Sequence, residues 1–187
     1  MKRLRNNLIS IAFTLIKFSF IKLFHWKKFS FHFIERFSPN TDIYFIGRGK
    51  ITFGRAVRAH SLCKFRVIGD GILTIDDNVT FNYGCMVTTR QKIFIERGVE
   101  FGPNVLVYDH DHDFKTAGGI KQNKYKSGEV IIGENSWIGA NVVLLRNTKI
   151  GKNCVVAAGC ILGNCEYPDN TLIFQKRDTQ TKVISRE

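Results

Sequence analysis

The sequence predicts an all-β solenoid of stacked parallel coils, with a helical segment in front and one loop protruding from the repeat. Three observations carry this expectation: a six-residue apolar period late in the chain, small residues at fixed places within each six, and a change in composition near residue 40. At 187 residues the chain fits one domain and can bury a core of its own.

Residues 1–40 differ in kind from the rest. They hold half of the sixteen Phe residues and almost no turn formers before Ser38, Pro39 and Asn40. Up to Arg36 there are eight basic residues against Glu35 alone, so much of the net charge of +12 gathers at this end. Arg3, Asn7, Ser10, Thr14 and Lys17 recur at helical spacing, which predicts a basic amphipathic helix with one polar stripe. Lys17 and Lys22 interrupt the apolar run, which argues against a secretory signal and against a membrane span. A helix lying in a membrane interface and a helix packing on its own protein both remain open.

From residue 41 to 163 the period shortens. Starting at Ile132 the chain divides into IGENSW, IGANVV, LLRNTK, IGKNCV and VAAGCI, which places Ile132, Ile138, Leu144, Ile150 and Val156 six apart. The second and fifth positions of these blocks are mostly small, and the same register returns at Ile75, Phe81, Val87, Ile95 and Phe101. A period of six suits very short strands, each giving one aliphatic residue to the interior, with tight turns between three faces. It does not suit a helix, which needs a 3.6 spacing. Residues 43–74 read as degenerate first coils, with Ile46, Phe53 and Val57 fitting loosely, and residues 164–187 as a C-terminal cap.

The period breaks for longest between Val107 and Ile132, and a loop at 110–130 is expected to be functional. It begins on Asp109, His110, Asp111, His112 and Asp113. The five cysteines have no metal-site spacing and an odd count, and Cys85, Cys154 and Cys160 fall on the small fifth position, where they act as small apolar residues. A reduced, cytoplasmic compartment is the simpler expectation.

These motifs together resemble the left-handed parallel β-helix O-acetyltransferases of the hexapeptide-repeat family, over roughly residues 75–163. That family includes maltose, galactoside and streptogramin acetyltransferases and capsule or lipopolysaccharide O-acetyltransferases. The left hand of the coil is implied by the resemblance alone. So are acetyl-CoA as acyl donor, the absence of a metal, a homotrimer with sites between subunits, and a sugar or glycan acceptor. Nucleic acid is not an expected partner.

Counted from Pro103, the stretch GPNVLVYDHDHDF puts the family's histidine on His112, the expected general base, with His110 in a structural or helping role. FNYGCM places the acceptor-binding asparagine on Asn82, with Tyr83 beside it, and Arg90 stands where relatives carry an acid, suggesting an anionic acceptor. SWIGANV puts Trp137 on the acyl-CoA tunnel, with Gly139 before the Ala140 amide that faces the thioester oxygen. VAAGCIL points to Ala158 and Gly159 beside pantetheine.

The family's usual ending is missing: Gly163, Asn164 and IFQKRDTQTKVI follow instead, leaving Lys176, Arg177 and Lys182, or the loop lysines 115, 121, 124 and 126, for the CoA phosphates. The basic start suits the inner face of the cell membrane, where lipid-linked surface glycans are assembled. A metal-dependent enzyme like the γ-type carbonic anhydrases and a non-catalytic membrane-associated scaffold are the competing readings of the same fold; the first needs three histidine ligands from the five at 25, 32, 60, 110 and 112.

Overall fold

The computed structural model describes residues 2–176 and 178–182, with side chains from Asn7 onward. A helix, Lys2–Phe24, is followed by a parallel β-solenoid of about six turns. Its three faces are sheets of seven, seven and six strands, each strand pairing with its equivalent one coil away.

Side-chain alternation explains why six residues suffice for one face. The expected column Ile132, Ile138, Leu144, Ile150 and Val156 is buried, and its members sit on the first, second, third, first and second faces in turn. In register along the first face lie Phe53, Ile75, Ile95, Ile132 and Ile150. Phe81 and Phe101 stack inside the second face at 4.6 Å between ring centroids. The small fifth positions fill the corners: Val79, Cys85, Val99, Val105, Ser136, Val142, Thr148, Cys154 and Cys160 are all buried.

The turns depend on the fourth position of each block. Asn135, Asn141, Asn147 and Asn153 have φ between 52° and 58°, and Gly159 has φ 74°. Asparagine tolerates this left-handed region and glycine enters it without strain. Neighbouring turns link through amides: Asn104 Nδ2 donates to Asn141 Oδ1 at 3.3 Å, Asn147 Nδ2 to Asn164 Oδ1 at 3.0 Å, and Asn153 Nδ2 to Asn170 Oδ1 at 3.2 Å.

The first coil starts ahead of the change in composition. Phe29–Ser30 pairs with Ile51 and Thr52, and Arg36–Phe37 with Arg58 and Ala59, so aromatic residues after the helix already serve the solenoid. Phe53 and Val57 are buried as the early register implies. Ile46 is exposed, because Asp42–Gly47 is a longer strand whose end alternates outward past the core. At the far end Cys165–Tyr167 and Leu172–Ile173 add a partial last coil.

The helix lies across the N-terminal end of the prism. Phe18 is the one fully buried large side chain among the described residues of the helix, and it lies among Phe29, Phe31, Phe37 and Phe53 at 4.7–5.6 Å between ring centroids. The stripe of Ser10, Thr14 and Lys17 turns towards the solenoid, not to solvent. Thr14 Oγ1 accepts from the Phe37 amide at 2.9 Å and donates to the Ser10 carbonyl at 2.7 Å. Lys17 donates to the Pro39 carbonyl at 3.2 Å and to that of Thr41. Arg3 and the terminal residues 183–187 lie outside the described side chains.

Candidate active site

The protruding loop is an antiparallel hairpin in which His110–His112 pairs with Tyr125–Ser127, closed by a short 3-10 turn at Gly119–Gln122. Asp109 anchors it. The Asp109 carboxylate is buried, and it accepts from the Thr89 hydroxyl at 2.5 Å, the Arg90 amide at 2.8 Å, the Gln91 amide at 2.7 Å and His110 Nδ1 at 2.9 Å. Burial alone would raise its pKa, but these donors outweigh burial and hold the carboxyl below the ordinary carboxylate value. The Gly128 amide donates to the Asp109 carbonyl at 2.8 Å, closing the base of the hairpin. Arg146 ties Asp111 to the next coil at 2.6 Å, and Lys126 faces Asp113 at 3.4 Å.

The two histidines therefore differ. His110 is largely enclosed, and an ionised Asp109 fixes its Nδ1 as the donor. His112 is exposed, with its ring resting on Tyr125 at 4.5 Å and a tilt of 42°. The guanidinium of Arg90 lies 3.4 Å from the Tyr125 ring centroid, and its Nε is buried without a hydrogen-bond partner among the described residues.

The other expected residues share a single edge of the prism, between the second and third faces. Asn82 and Tyr83, Gly102 and Pro103, Gly139 and Ala140, and Ala157 to Gly159 stack there coil upon coil. In each turn the first amide joins the ladder, as Gly139 to the Val156 carbonyl at 2.8 Å. The third donates to a carbonyl one coil away, as Asn141 to Pro103 at 2.9 Å and Gly159 to Ala140 at 2.8 Å. The middle amides, of Ala140 and Ala158, have no acceptor among the described residues.

The edge between the first and second faces is different. There acidic side chains cap the matching amides: Asp77 that of Arg55 at 2.7 Å, Glu96 that of Glu134 at 3.0 Å, and Asp169 that of Lys152 at 2.7 Å. The open edge also has no room for larger residues in its stack. A Cβ on Gly102 would lie 2.7 Å from the Ala140 nitrogen, and one on Gly139 equally close to the Ala158 nitrogen and Val156 oxygen. Trp137 stands 55% exposed on the adjoining face, between Glu100 and Val155. Asn82 turns its Oδ1 to the Tyr83 amide at 2.8 Å, and Tyr83 packs on His60 at 4.8 Å beside a groove of about 490 Å³.

Within one chain these two halves stay apart. The strand Leu106–Tyr108 separates the Asn104 turn from Asp109, five residues on, a span of ~16 Å at about 3.3 Å per residue. Lys176 and Lys182 follow the last coil, while Arg177 lies outside the described residues. No group of three His, Cys, Asp or Glu side chains placed to hold a metal occurs among the described residues.

Residues 129–164 match the family model described as bacterial transferase hexapeptide (six repeats). The chain is 28% identical over 138 residues to a putative lipopolysaccharide biosynthesis O-acetyl transferase, WbbJ, of Escherichia coli K12, covering 70% of each chain. Its repeats over residues 129–164 are thus similar to those of the hexapeptide-repeat transferases. It is also 35% identical over 96 residues to a galactoside O-acetyltransferase of Lactococcus lactis, across 50% of this chain and 44% of that one. It therefore spans less than half of that second relative.

Among solved structures, the N-acyltransferase AntD of Bacillus cereus, crystallised with dTDP and 3-hydroxybutyryl-CoA, superposes with a TM-score of 0.65 at 20% identity over 75% of each chain. A mutant of perosamine N-acetyltransferase from Caulobacter crescentus, in complex with CoA and GDP-perosamine, gives 0.53 at 16% identity over 75% of this chain and 53% of that one. At these identities the likeness establishes the hexapeptide-repeat fold.

Asp109 and Tyr125 are the site residues that sequence reasoning missed. Asp109 is one of three alternating acids at the start of the loop, and nothing in the spacing distinguishes the buried one from its half-exposed neighbours. Tyr125 lies thirteen residues beyond His112 and meets it only because the hairpin folds back.

Proposed function

We propose that this chain transfers an acetyl group from acetyl-CoA to a hydroxyl of a sugar, within a capsular, lipopolysaccharide or other surface glycan, at the cytoplasmic side of the cell membrane. The observation that carries the reading is the edge where the Ala140 and Ala158 amides stand open among residues too small to cover them. Unpaired amides on a rigid backbone suit an oxygen that gains negative charge during acyl transfer, since fixed dipoles need no rearrangement as the charge forms.

Acetyl-CoA supplies the acyl group as a thioester. His112 accepts the proton of the attacking hydroxyl as the new C–O bond forms, and the Ala140 amide donates to the resulting oxyanion. His112 then returns the proton to the sulfur as the C–S bond breaks. Trp137 forms one wall of the acyl-CoA groove, with Gly139, Ala158 and Gly159 letting pantetheine approach the backbone. Asn82 orients the acceptor hydroxyl, and the exposed Tyr83 ring offers the sugar a stacking face.

The hairpin and the open edge occupy different parts of the prism, so His112 of one copy serves the open edge of another. A homotrimer closes that arrangement symmetrically. Exposure and position favour His112 as the base. The Asp109–His110 pair favours His110 as the alternative, with the carboxylate setting its tautomer.

N-acylation is the second reading for the acceptor, favoured by the solved N-acyltransferases of this fold. Free thiol release from acetyl-CoA, measured with hydroxyl-only and amino sugars and checked by a gain of one acetyl mass in the product, tests the reaction. Acceptor-dependent release with hydroxyl sugars is expected. Release with amino sugars alone moves the reading to N-acylation, and no release with either class overturns it.

A further inference from the structure

The helix Lys2–Phe24 sets Phe18 into the core but turns most of its other large apolar side chains away from the solenoid. A helix on a soluble domain ordinarily turns its apolar stripe inward and its charges outward. Here Ser10, Thr14, Lys17 and Lys22 face the solenoid. Lys22 donates to the carbonyls of Trp26 at 2.7 Å and Phe29 at 2.5 Å, completing the set begun by Thr14 and Lys17.

The outward positions Leu8, Ile9, Phe13, Ile16, Phe20, Leu23 and Phe24 are 39–71% exposed. Lys17 and Lys22 are the charged residues between Leu8 and Phe24, and both are engaged on the inner side. Trp26, Phe33 and Ile34 extend the same exposed surface, and Leu23, Trp26, Phe31 and Phe33 line a groove of about 890 Å³ beside it. A contiguous apolar surface of this kind on the end of a solenoid marks a partner.

Charge identifies the partner's chemistry. The segment carries Lys2, Arg3, Arg5 and Lys27 besides Arg36 and the three lysines, 17, 22 and 28, that donate to backbone carbonyls, and its single acid, Glu35, is buried. Lys27 sits 4.8 Å over the ring of exposed Trp26, a pairing suited to the boundary between acyl chains and headgroups. A second copy of this chain would bring like charges to the same patch, which disfavours it as the occupant.

We propose that the N-terminal end of the solenoid docks on an anionic phospholipid bilayer, with the helix lying in the interface, its outward face among the acyl chains and its flanking basic residues at the lipid phosphates. The stretch Asn7–Phe24 is long and apolar enough to cross a bilayer. Crossing would break the bonds of Thr14, Lys17 and Lys22 to the first coil and take two lysines into hydrocarbon, so the helix lies flat. This surface stands independently of the acyl-transfer reading.

The test is flotation of the full chain with phosphatidylcholine vesicles made with and without phosphatidylglycerol, for the wild type and a Phe13→Asp, Phe20→Asp double variant. Both residues face outward, so the variant should keep its thermal unfolding temperature. The expected result is binding to the anionic vesicles that weakens as salt rises, falls at least ten-fold in the variant, and is released by alkaline carbonate. Equal binding by the variant, no binding by the wild type, or retention after carbonate would each overturn the proposal. So would a wild type that stays off vesicles while the variant differs only by dissociating into smaller oligomers, which would assign the face to a second copy.

Discussion

Replacing Asp109 by Asn probes what holds the hairpin. Its carboxylate accepts from the Thr89 hydroxyl, the Arg90 and Gln91 amides and His110 Nδ1, all within 2.5–2.9 Å. An asparagine keeps one acceptor oxygen and brings an NH2 group against donors on the other side. Either the backbone amides lose their acceptor or His110 must change tautomer. At ~1.5–3 kcal/mol for each hydrogen bond to a charged acceptor, losing two of them costs roughly 3–6 kcal/mol. For a chain of this length that corresponds to a fall in Tm of roughly 10 °C.

The pH dependence of this effect has a definite sign. The folded Asp109 pKa is depressed, so its contribution is present above the ordinary carboxylate value and is lost as pH falls through the folded value. The gap in Tm between wild type and Asp109→Asn should therefore be full at neutral pH and close below about pH 4. Thermal unfolding followed by circular dichroism at both pH values measures it, alongside turnover, which should fall as the hairpin loses its setting. An unchanged Tm at pH 7 would refute the view that this carboxylate anchors the hairpin.

Glu35 titrates in the opposite direction. Burial raises its pKa from 4.5 to about 8, against the His32 amide that donates to Oε1, and Oε2 has no partner among the described residues. A raised folded pKa contributes stability below the unfolded value that is lost as pH climbs towards 8, at up to about 1.4 kcal/mol per pH unit. Glu35→Gln should remove that slope, so its Tm advantage over wild type should grow between pH 5 and pH 9 in thermal melts. Gly139→Ala forces a Cβ within 2.7 Å of two backbone atoms of the next coil. It should cost ~1–3 kcal/mol in denaturant unfolding and lower turnover further by displacing the Ala140 amide. Thr14→Val leaves the Phe37 amide buried without an acceptor, and should cost ~1–3 kcal/mol in the same assay.

The solenoid was legible because its period is local. Each buried aliphatic residue from Ile132 to Val156 announces its face by counting alone, and the small corner residues follow from the same count. Asparagine is a turn former in sequence, but that the fourth position of each block is the one to take the left-handed turn is visible only in the folded coils. The helix shows the limit more sharply. Periodicity revealed the stripe of Ser10, Thr14 and Lys17, but which side of a helix meets the protein is decided by the first coil, whose open carbonyls at Pro39 and Thr41 take the lysine.

The candidate site divides in the same way. The family resemblance pointed to Asn82, Trp137 and Ala140 separately, while the stacking of Asn82 and Ala140 on one edge, with Trp137 on the adjoining face, depends on coil length. The open state of the Ala140 amide depends on the absence of an acid like Asp77 or Asp169 above it. The burial of Asp109, amid an alternating run of acids and histidines, is set by the corner of the preceding coil at Thr89–Gln91, twenty residues earlier in the chain.

The most direct test of acyl transfer through the hairpin is thiol release from acetyl-CoA, measured for the wild type, His112→Ala and His110→Ala with one responsive glycan acceptor. The account predicts acceptor-dependent release by the wild type, loss of at least about a hundred-fold in His112→Ala, as expected for a general base, and a smaller loss in His110→Ala. Full activity in His112→Ala, from a protein that melts like the wild type, would contradict it.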